Sequence, residues 1–423
     1  VGFVYLSRPL RAALVSRGGH LTKLVAILAA ISLFVIGGIA LADDPNGDLQ
    51  SARDLLAQAD ALLAAEQAKP PVVTTVTETI TTTETVTVTE SAAPPPAPTT
   101  APPPSCTGTA VAPGGGLRAA MDAAPAGTTF CLGEGTYTLS ASISVQAGDE
   151  VIGAGRTLTH IDGSGVPTTA PGMFSVAEDA RFEGIDVFGA RTPAAGVTGA
   201  CSPNANCGRA FVSGGKGTLT LQSIACHDNG GNCVGGGGTA NLVADDLDCY
   251  ANGNAYSMTQ AFRYAACVKK AAAYPTGNDT GNVTITNSFI HDNPWVGIWC
   301  DFCHVGFFQI TDSDIIGNGK AGVSYEVSGG ETAGDHALVA RNVIQDNGWN
   351  PNSNIAPTAI SCNSCAELTI ENNTFGGNVN ALLTQNSRRG SWGDIFGVIV
   401  RDNVLGGDAV NCSAVGVSCS GNS

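Results

Sequence analysis

The chain has 423 residues, room for more than one domain, with 20 Lys+Arg against 36 Asp+Glu and a formal net charge of -16. That balance argues against sequence-independent nucleic-acid binding, which needs basic surface. Charged residues make up only 13% while glycine reaches 54, a composition for tight turns and stacked strands and not for long exposed helices.

The first predicted segment, 1–23, is a basic tail carrying Arg8, Arg11, Arg17 and Lys23. Residues 24–42, "LVAILAAISLFVIGGIALA", hold no charge, and Asp43 and Asp44 follow. Nineteen apolar positions just span a bilayer, and the flanking charges keep the N-terminus cytoplasmic and send the rest outward. The expectation is a single-pass membrane anchor with an extracellular C-terminal domain. Because Ala40-Leu41-Ala42 also has the small-x-small pattern of a signal-peptidase site, cleavage after Ala42 would make the domain secreted.

Residues 43–69 place Leu49, Ala52, Leu56, Ala59 and Leu63 at helical spacing, predicting a juxtamembrane helix that offers a face for oligomerisation. Residues 70–105 are Thr/Pro-rich and lack core formers, which predicts a disordered, extended stalk. All 14 cysteines lie at or beyond Cys106, so 106–423 is expected to be a disulfide-stapled domain from an oxidising compartment.

That domain repeats. Aligned on Asn293, an Asn recurs at 229, 252, 318, 347 and 378, and an Asp at 408. Eight residues before each stand Leu221, Ala244, Ile285, Ile310, Val339, Ile370 and Val400, and ten before stand Leu219, Leu242, Val283, Phe308, Ala337, Leu368 and Val398. Three before come Cys226, Cys249, Ile290, Ile315, Ile344, Phe375 and Leu405. Each repeat therefore reads as strand, sharp polar turn, short strand, Asn turn, third strand. No single repeat buries its apolar side chains, but a stack does, so the predicted architecture is an all-β solenoid, a parallel β-helix.

"NVTITNSFIHDN", "GFFQITDSDIIGN" and "LTIENNTFGGN" resemble the repeats of right-handed parallel β-helices of the pectin-lyase-like superfamily. The stretch from "GGGLRAAMDAAPAGTTF" onward is similar to that superfamily's entry, with an N-terminal capping helix bearing Leu117, Ala120, Met121 and Ala124. The resemblance covers about 106–423 and implies fold more than activity. Of the N-T-D, D-D, G-H-G and R-I-K motifs of its polygalacturonase-like members only Asp245-Asp246 occurs, on the wrong strand.

Register decides how the cysteines read. Cys300-x-x-Cys303 and Cys362-x-x-Cys365 have zinc spacing, but one rung separates them, a gap of roughly 9–10 Å that tetrahedral thiolates cannot close. Both are expected as local disulfides. Cys226 and Cys249 fall on consecutive rungs, which allows 226–249 with 233–267, or the sequential 226–233 with 249–267. Cys106–Cys131, Cys201–Cys207 and Cys412–Cys419 are expected to close the ends and a loop. The repeated His-Asp-Asn at 227–229 and 291–293 reads as turn chemistry, not as a catalytic dyad.

In this superfamily the strand after the Asn turn lines the binding cleft. Its outward residues here are Lys269, Trp299, Asp301, Glu326 and Asn363, with Trp349, Trp392, Arg388, Arg389, Tyr256 and Tyr264 on flanking loops. Tryptophans offer flat surfaces to sugar rings, and arginines hold sugar carboxylates. Lys269 is the candidate base for a β-elimination, while Asp301 and Glu326 are a candidate acid/base pair or calcium ligands. No cofactor beyond calcium is expected. The sequence thus points to a cell-surface protein that binds or acts on an acidic polysaccharide, as lyase, epimerase or glycoside hydrolase. The rival reading is a non-catalytic adhesin or structural spike.

Overall fold

The computed structural model describes residues 106–192, 207–253, 266–271, 281–303, 306–328, 336–350, 358–385 and 394–423. The anchor, juxtamembrane helix and stalk expected within 1–105 lie outside them, as do Trp392, Arg388, Arg389, Tyr256, Tyr264 and Cys201. Among the described residues no helix is long and apolar enough to cross a membrane.

Every strand pairs in parallel with the strand one coil before or after it, giving a nineteen-stranded and a ten-stranded sheet among the described residues. One rung illustrates the coil. Val283–Thr286 and Phe289–His291 belong to the larger sheet, and Val296–Asp301 to the smaller. The bends between them use left-handed backbone, at Asn287 (φ 50°) and Asp292 (φ 49°), which Asn and Asp tolerate better than other side chains. Asp312, Asn372 and Asp402 repeat the first bend, and Asp228 and Asp346 the second. The polar turn residues of the repeat are thus conformational choices.

The apolar columns stack as the alignment predicts. Leu221, Ala244, Ile285, Ile310, Val339, Ile370 and Val400 are successive partners across adjacent strands. All are buried in one core that runs the length of the solenoid. The N-terminal end of that core is closed by Leu117–Ala123, which buries Leu117 and Met121 and packs Ala120 and Ala124 against the first coils. Gln146 Nε2 secures the helix by donating to the Met121 and Ala124 carbonyls (3.2 and 2.8 Å). Near that end the core is aromatic, with Phe174, Phe182 and Phe211 in mutual ring contact at 4.8–5.5 Å.

The recurrent asparagines form a second column inside the bend. Asn229 Nδ2 donates to Asn252 Oδ1 (3.0 Å), Asn293 to Asn318 (2.9 Å), Asn318 to Asn347 (3.0 Å), Asn347 to Asn378 (3.2 Å) and Asn378 to Asp408 (2.6 Å). Each Oδ1 also receives a backbone N–H from the preceding rung, as Asn293 Oδ1 does from Asn252. A second ladder, absent from the sequence reading, runs through Ser288, Ser313, Asn342, Asn373, Asn403 and Asn422 at the other bend. Buried turns have no water to satisfy their amides, and the amide side chain, with both donor and acceptor, supplies the partner on each side.

Disulfides join Cys106–Cys131, Cys300–Cys303, Cys362–Cys365 and Cys412–Cys419. Of the two pairings left open, the sequential one forms, Cys226–Cys233 and Cys249–Cys267. Cys226 and Cys249 are partners in register, as the repeat implies, yet each bonds within its own coil, Cys226 to the residue just before Val234–Gly236 and Cys249 to Cys267 within Ala266–Ala271, both strands of the ten-stranded sheet. The bonds therefore tie the two sheets together within a coil instead of tying coil to coil.

Ile298 is fully buried and its neighbour Trp299 lies on the opposite side of the strand. Ile298→Ala should lower stability by about 2–5 kcal/mol through lost burial and a cavity. A urea midpoint unchanged from wild type would mean that the register of this strand is off by one residue.

Candidate functional site

The outer face of the ten-stranded sheet brings the predicted strand residues together. Lys269 pairs with Trp299, Trp299 with Ser324 and Ser324 with Ser361 across successive rungs. Two residues further along the strands, Asp301 pairs with Glu326 and Glu326 with Asn363. Lys269 Nζ lies 3.1 Å from Asp301 Oδ2 and 3.3 Å from the centre of the Trp299 indole. Asn363 Nδ2 donates to Glu326 Oε1 at 3.2 Å.

Two expectations change here. The cluster is not open surface: Lys269 and Trp299 are 4% exposed, Glu326 6% and Asp301 7%. Nor does Trp299 offer a bare ring to a sugar, because the Lys269 ammonium sits on its face and Ala266 and Val296 pack against it. Its effect is to hold Lys269, with a second ammonium, that of Lys320, 5.2 Å from the ring centre. Trp349 is half-buried at a bend and donates its indole N–H to the Gly317 carbonyl (2.7 Å), and nothing described joins it to this cluster.

Burial dominates the electrostatics. It pushes the Lys269 pKa down from 10.5 to about 8, against the opposing pull of Asp301 and Glu326. Three buried polar atoms of the cluster make no hydrogen bond among the described residues: Trp299 Nε1, Asp301 Oδ1 and Asn363 Oδ1. One is a donor and two are acceptors. No group of three or more metal-ligating side chains occurs among the described residues, and one oxygen of the Asp301 carboxylate is already engaged by Lys269.

Lys270 went unnoticed in the sequence. Consecutive strand residues face opposite ways, so an outward Lys269 sends Lys270 inward. It is fully buried, its Nζ donates to the Ala240 carbonyl (2.8 Å), and burial lowers its pKa to about 8.

The larger sheet carries a second polar array, which includes the His-Asp turns. Phe188, His227, Tyr250 and His291 are successive partners in register, and their rings stack at 5.4, 4.7 and 4.9 Å. His227 lies between Asp186 (3.0 Å) and Asp228 (2.8 Å), and His291 between Asp248 (3.2 Å) and Asp292 (2.9 Å). Beside them an open cleft of about 350 Å³ is lined by Arg156, Asp246, Asp248, Phe289, Asp312 and Asp314, among others, and by no member of the Lys269 cluster. Stacked rings cover one another's faces, and the carboxylates occupy the imidazole nitrogens, so the array acts as a structural ladder.

Burial works against the imidazolium of His291, but hydrogen bonds to Asp248 and Asp292 outweigh it and raise its pKa from 6.5 to about 9. A raised folded pKa gives stability that is complete below about 6.5 and lost as pH rises through about 9. Lys269 and Lys270 act oppositely, with stability recovering between about 8 and 10.5. Urea midpoints of wild type and His291→Gln, compared over this range, should differ most at the acid end and converge above pH 9. A constant difference would remove the ionic role of His291.

No protein-family model matches the chain, and no curated protein matches it. Among solved structures it is similar to the A-module of a mannuronan C-5 epimerase from Azotobacter vinelandii, at 16% identity over 72% of this chain and 90% of that one, TM-score 0.38. It is also similar to an alginate lyase from Paenibacillus (13%, 74% and 98%, TM-score 0.46) and to the pectate lyase Pel9A (17%, 70% and 73%, TM-score 0.43). Likenesses of this size carry no argument about activity. The fold rests on the chain's own strand pairing, which is that of a parallel β-helix.

Proposed function

We propose that the protein is a cell-surface β-helix, held by its 24–42 segment, that binds and acts on an extracellular polysaccharide at the outer face of its ten-stranded sheet. The observation that carries this reading is the set of buried polar atoms without partners among the described residues, Trp299 Nε1, Asp301 Oδ1 and Asn363 Oδ1. Leaving such atoms unsatisfied costs about 1–3 kcal/mol each. Sugar hydroxyls both donate and accept, and so would satisfy all three.

The chemistry that fits best is proton abstraction. A lysine with a pKa near 8 is part neutral at mildly alkaline pH and can remove the proton beside a sugar carboxylate, the step shared by lyases and epimerases. A hydrolytic Asp301–Glu326 pair fits less well, since Asp301 is tied to Lys269 at 3.1 Å. Calcium at Asp301 and Glu326 remains an added arm of the test. The burial of the whole cluster favours one rival, a non-catalytic adhesin in which the ion pair only fastens the sheet face.

The deciding experiment incubates the full chain with alginate, polygalacturonate and neutral glycans, with and without calcium, following unsaturated products by absorbance and hydrolysis by reducing ends. Turnover of one glycan, lost in Lys269→Met while binding persists, is the expected result. Binding without turnover on any substrate would favour the adhesin, and neither binding nor turnover would contradict the proposal.

A further inference from the structure

The helix Leu117–Ala123 closes one end of the core. At the other end no helix occurs among the described residues, and the inward-facing Val417 and Cys419, with Leu405 and Val410, are only half-buried. Their partners one coil earlier, Val398 and Val400, are 1% exposed. The last coil therefore leaves the edge of its core open. Apolar surface gathers there as well. Of the eight large hydrophobic side chains exposed among the described residues, five fall between 379 and 415: Val379, Phe396, Ile399, Val404 and Val415. Val415 is the most exposed of them at 83%. A Cβ on the adjoining Gly416 would lie 2.8 Å from Phe396 Cα, which puts Val415 beside Phe396. Single exposed hydrophobics are ordinary, but their gathering at one end marks a contact surface.

The backbone is open at the same place. Among the described residues Val417–Ser420 pairs with Val398–Arg401 on one side and with no strand on the other, and Ala409–Val410 pairs only with Asn380–Gln385. Such edges present unpaired N–H and C=O groups to an added strand, and natural proteins commonly guard them with charge or proline. Residues 409–423, "AVNCSAVGVSCSGNS", hold neither. The carboxylate just before them, Asp408, is buried and accepts from Asn378 Nδ2 (2.6 Å).

Charge selects the occupant. Two copies of a chain with net charge -16 repel one another, least where the facing surfaces are uncharged. A charged partner would find no counter-charge in 409–423. A second copy related by a two-fold axis presents the same edge in the opposite sense, so Val417–Ser420 meets itself antiparallel, and the half-buried Val417 and Cys419 of each copy cover those of the other. We propose that the last coil is a self-association surface, on which a second copy of this chain docks end to end through Val417–Ser420 and the apolar patch at Val415. This contact is separate from the glycan reading and from the face expected within 43–69.

The test is sedimentation equilibrium of the full chain in density-matched detergent, with hydrogen exchange on the same samples. Mass should rise from one chain to two with concentration, and the amides of Val417–Ser420 should exchange more slowly in the concentrated sample. Val415→Asp and Ser418→Lys alter exposed side chains, so folding should persist, with wild-type urea midpoints. Each should weaken association about a hundredfold, since a two-fold contact meets every substitution twice and sets like charges against one another. Val243→Asp, at an exposed apolar position on a distant coil, should leave association unchanged. A single-chain mass at every concentration would overturn the proposal. So would association that both end variants leave at wild-type strength, because the contact would then lie elsewhere.

Discussion

Asn318→Ala should lower the stability of the β-helix by about 2–5 kcal/mol, read as a shift in urea midpoint at unchanged slope. The Asn318 side chain donates to the Ile290 carbonyl (3.0 Å) and to Asn347 Oδ1 (3.0 Å), and its oxygen receives the Asn293 N–H (3.3 Å) and Asn293 Nδ2 (2.9 Å). Truncation strips the Ile290 carbonyl and the Asn293 N–H of these partners where water does not reach, since Asn293 and Asn318 are fully buried. Asn422, half-buried at the end of the second ladder, serves only one neighbouring rung, and Asn422→Ala should cost less. Equal losses at the two positions would mean that the ladders contribute turn propensity and not hydrogen bonding.

Asp301→Ala should also be costly, about 3–5 kcal/mol, because it leaves the Lys269 ammonium buried without its carboxylate. Neutralising the lysine relieves that penalty. With Asp301 gone the Lys269 pKa falls further below 8, so the deficit should shrink as pH rises toward the alkaline range. Replacing both partners, Lys269→Met with Asp301→Leu, should recover most of the loss, as apolar substitutes for a buried pair commonly do. A double variant as unstable as the sum of the single ones would show that the two residues do not act as a pair.

The core was legible in the sequence because a period of two, repeated every coil, needs no knowledge of distant contacts. Val283, Ile285 and Ile290 announce their inward facing locally, and the asparagine at the bend fixes the register. The outward set of Lys269, Trp299, Asp301 and Glu326 follows from the same alternation. Burial of that outer face was not legible, because a strand pattern tells which side a residue faces and not whether anything lies above it. The disulfide choice at Cys226, Cys233, Cys249 and Cys267 depended on cross-core distances that register along the stack does not supply.

The most direct measurement is the indole N–H spectrum of the full chain, selectively labelled at its four tryptophans, during titration with the glycan that it binds. Assignment follows from Trp295→Phe, Trp349→Phe and Trp392→Phe. Trp299 Nε1, buried with no acceptor among the described residues, should gain one from the sugar, so its resonance should move downfield and exchange more slowly. Saturable glycan binding that perturbs the other indoles and leaves Trp299 unmoved would contradict a site on this face.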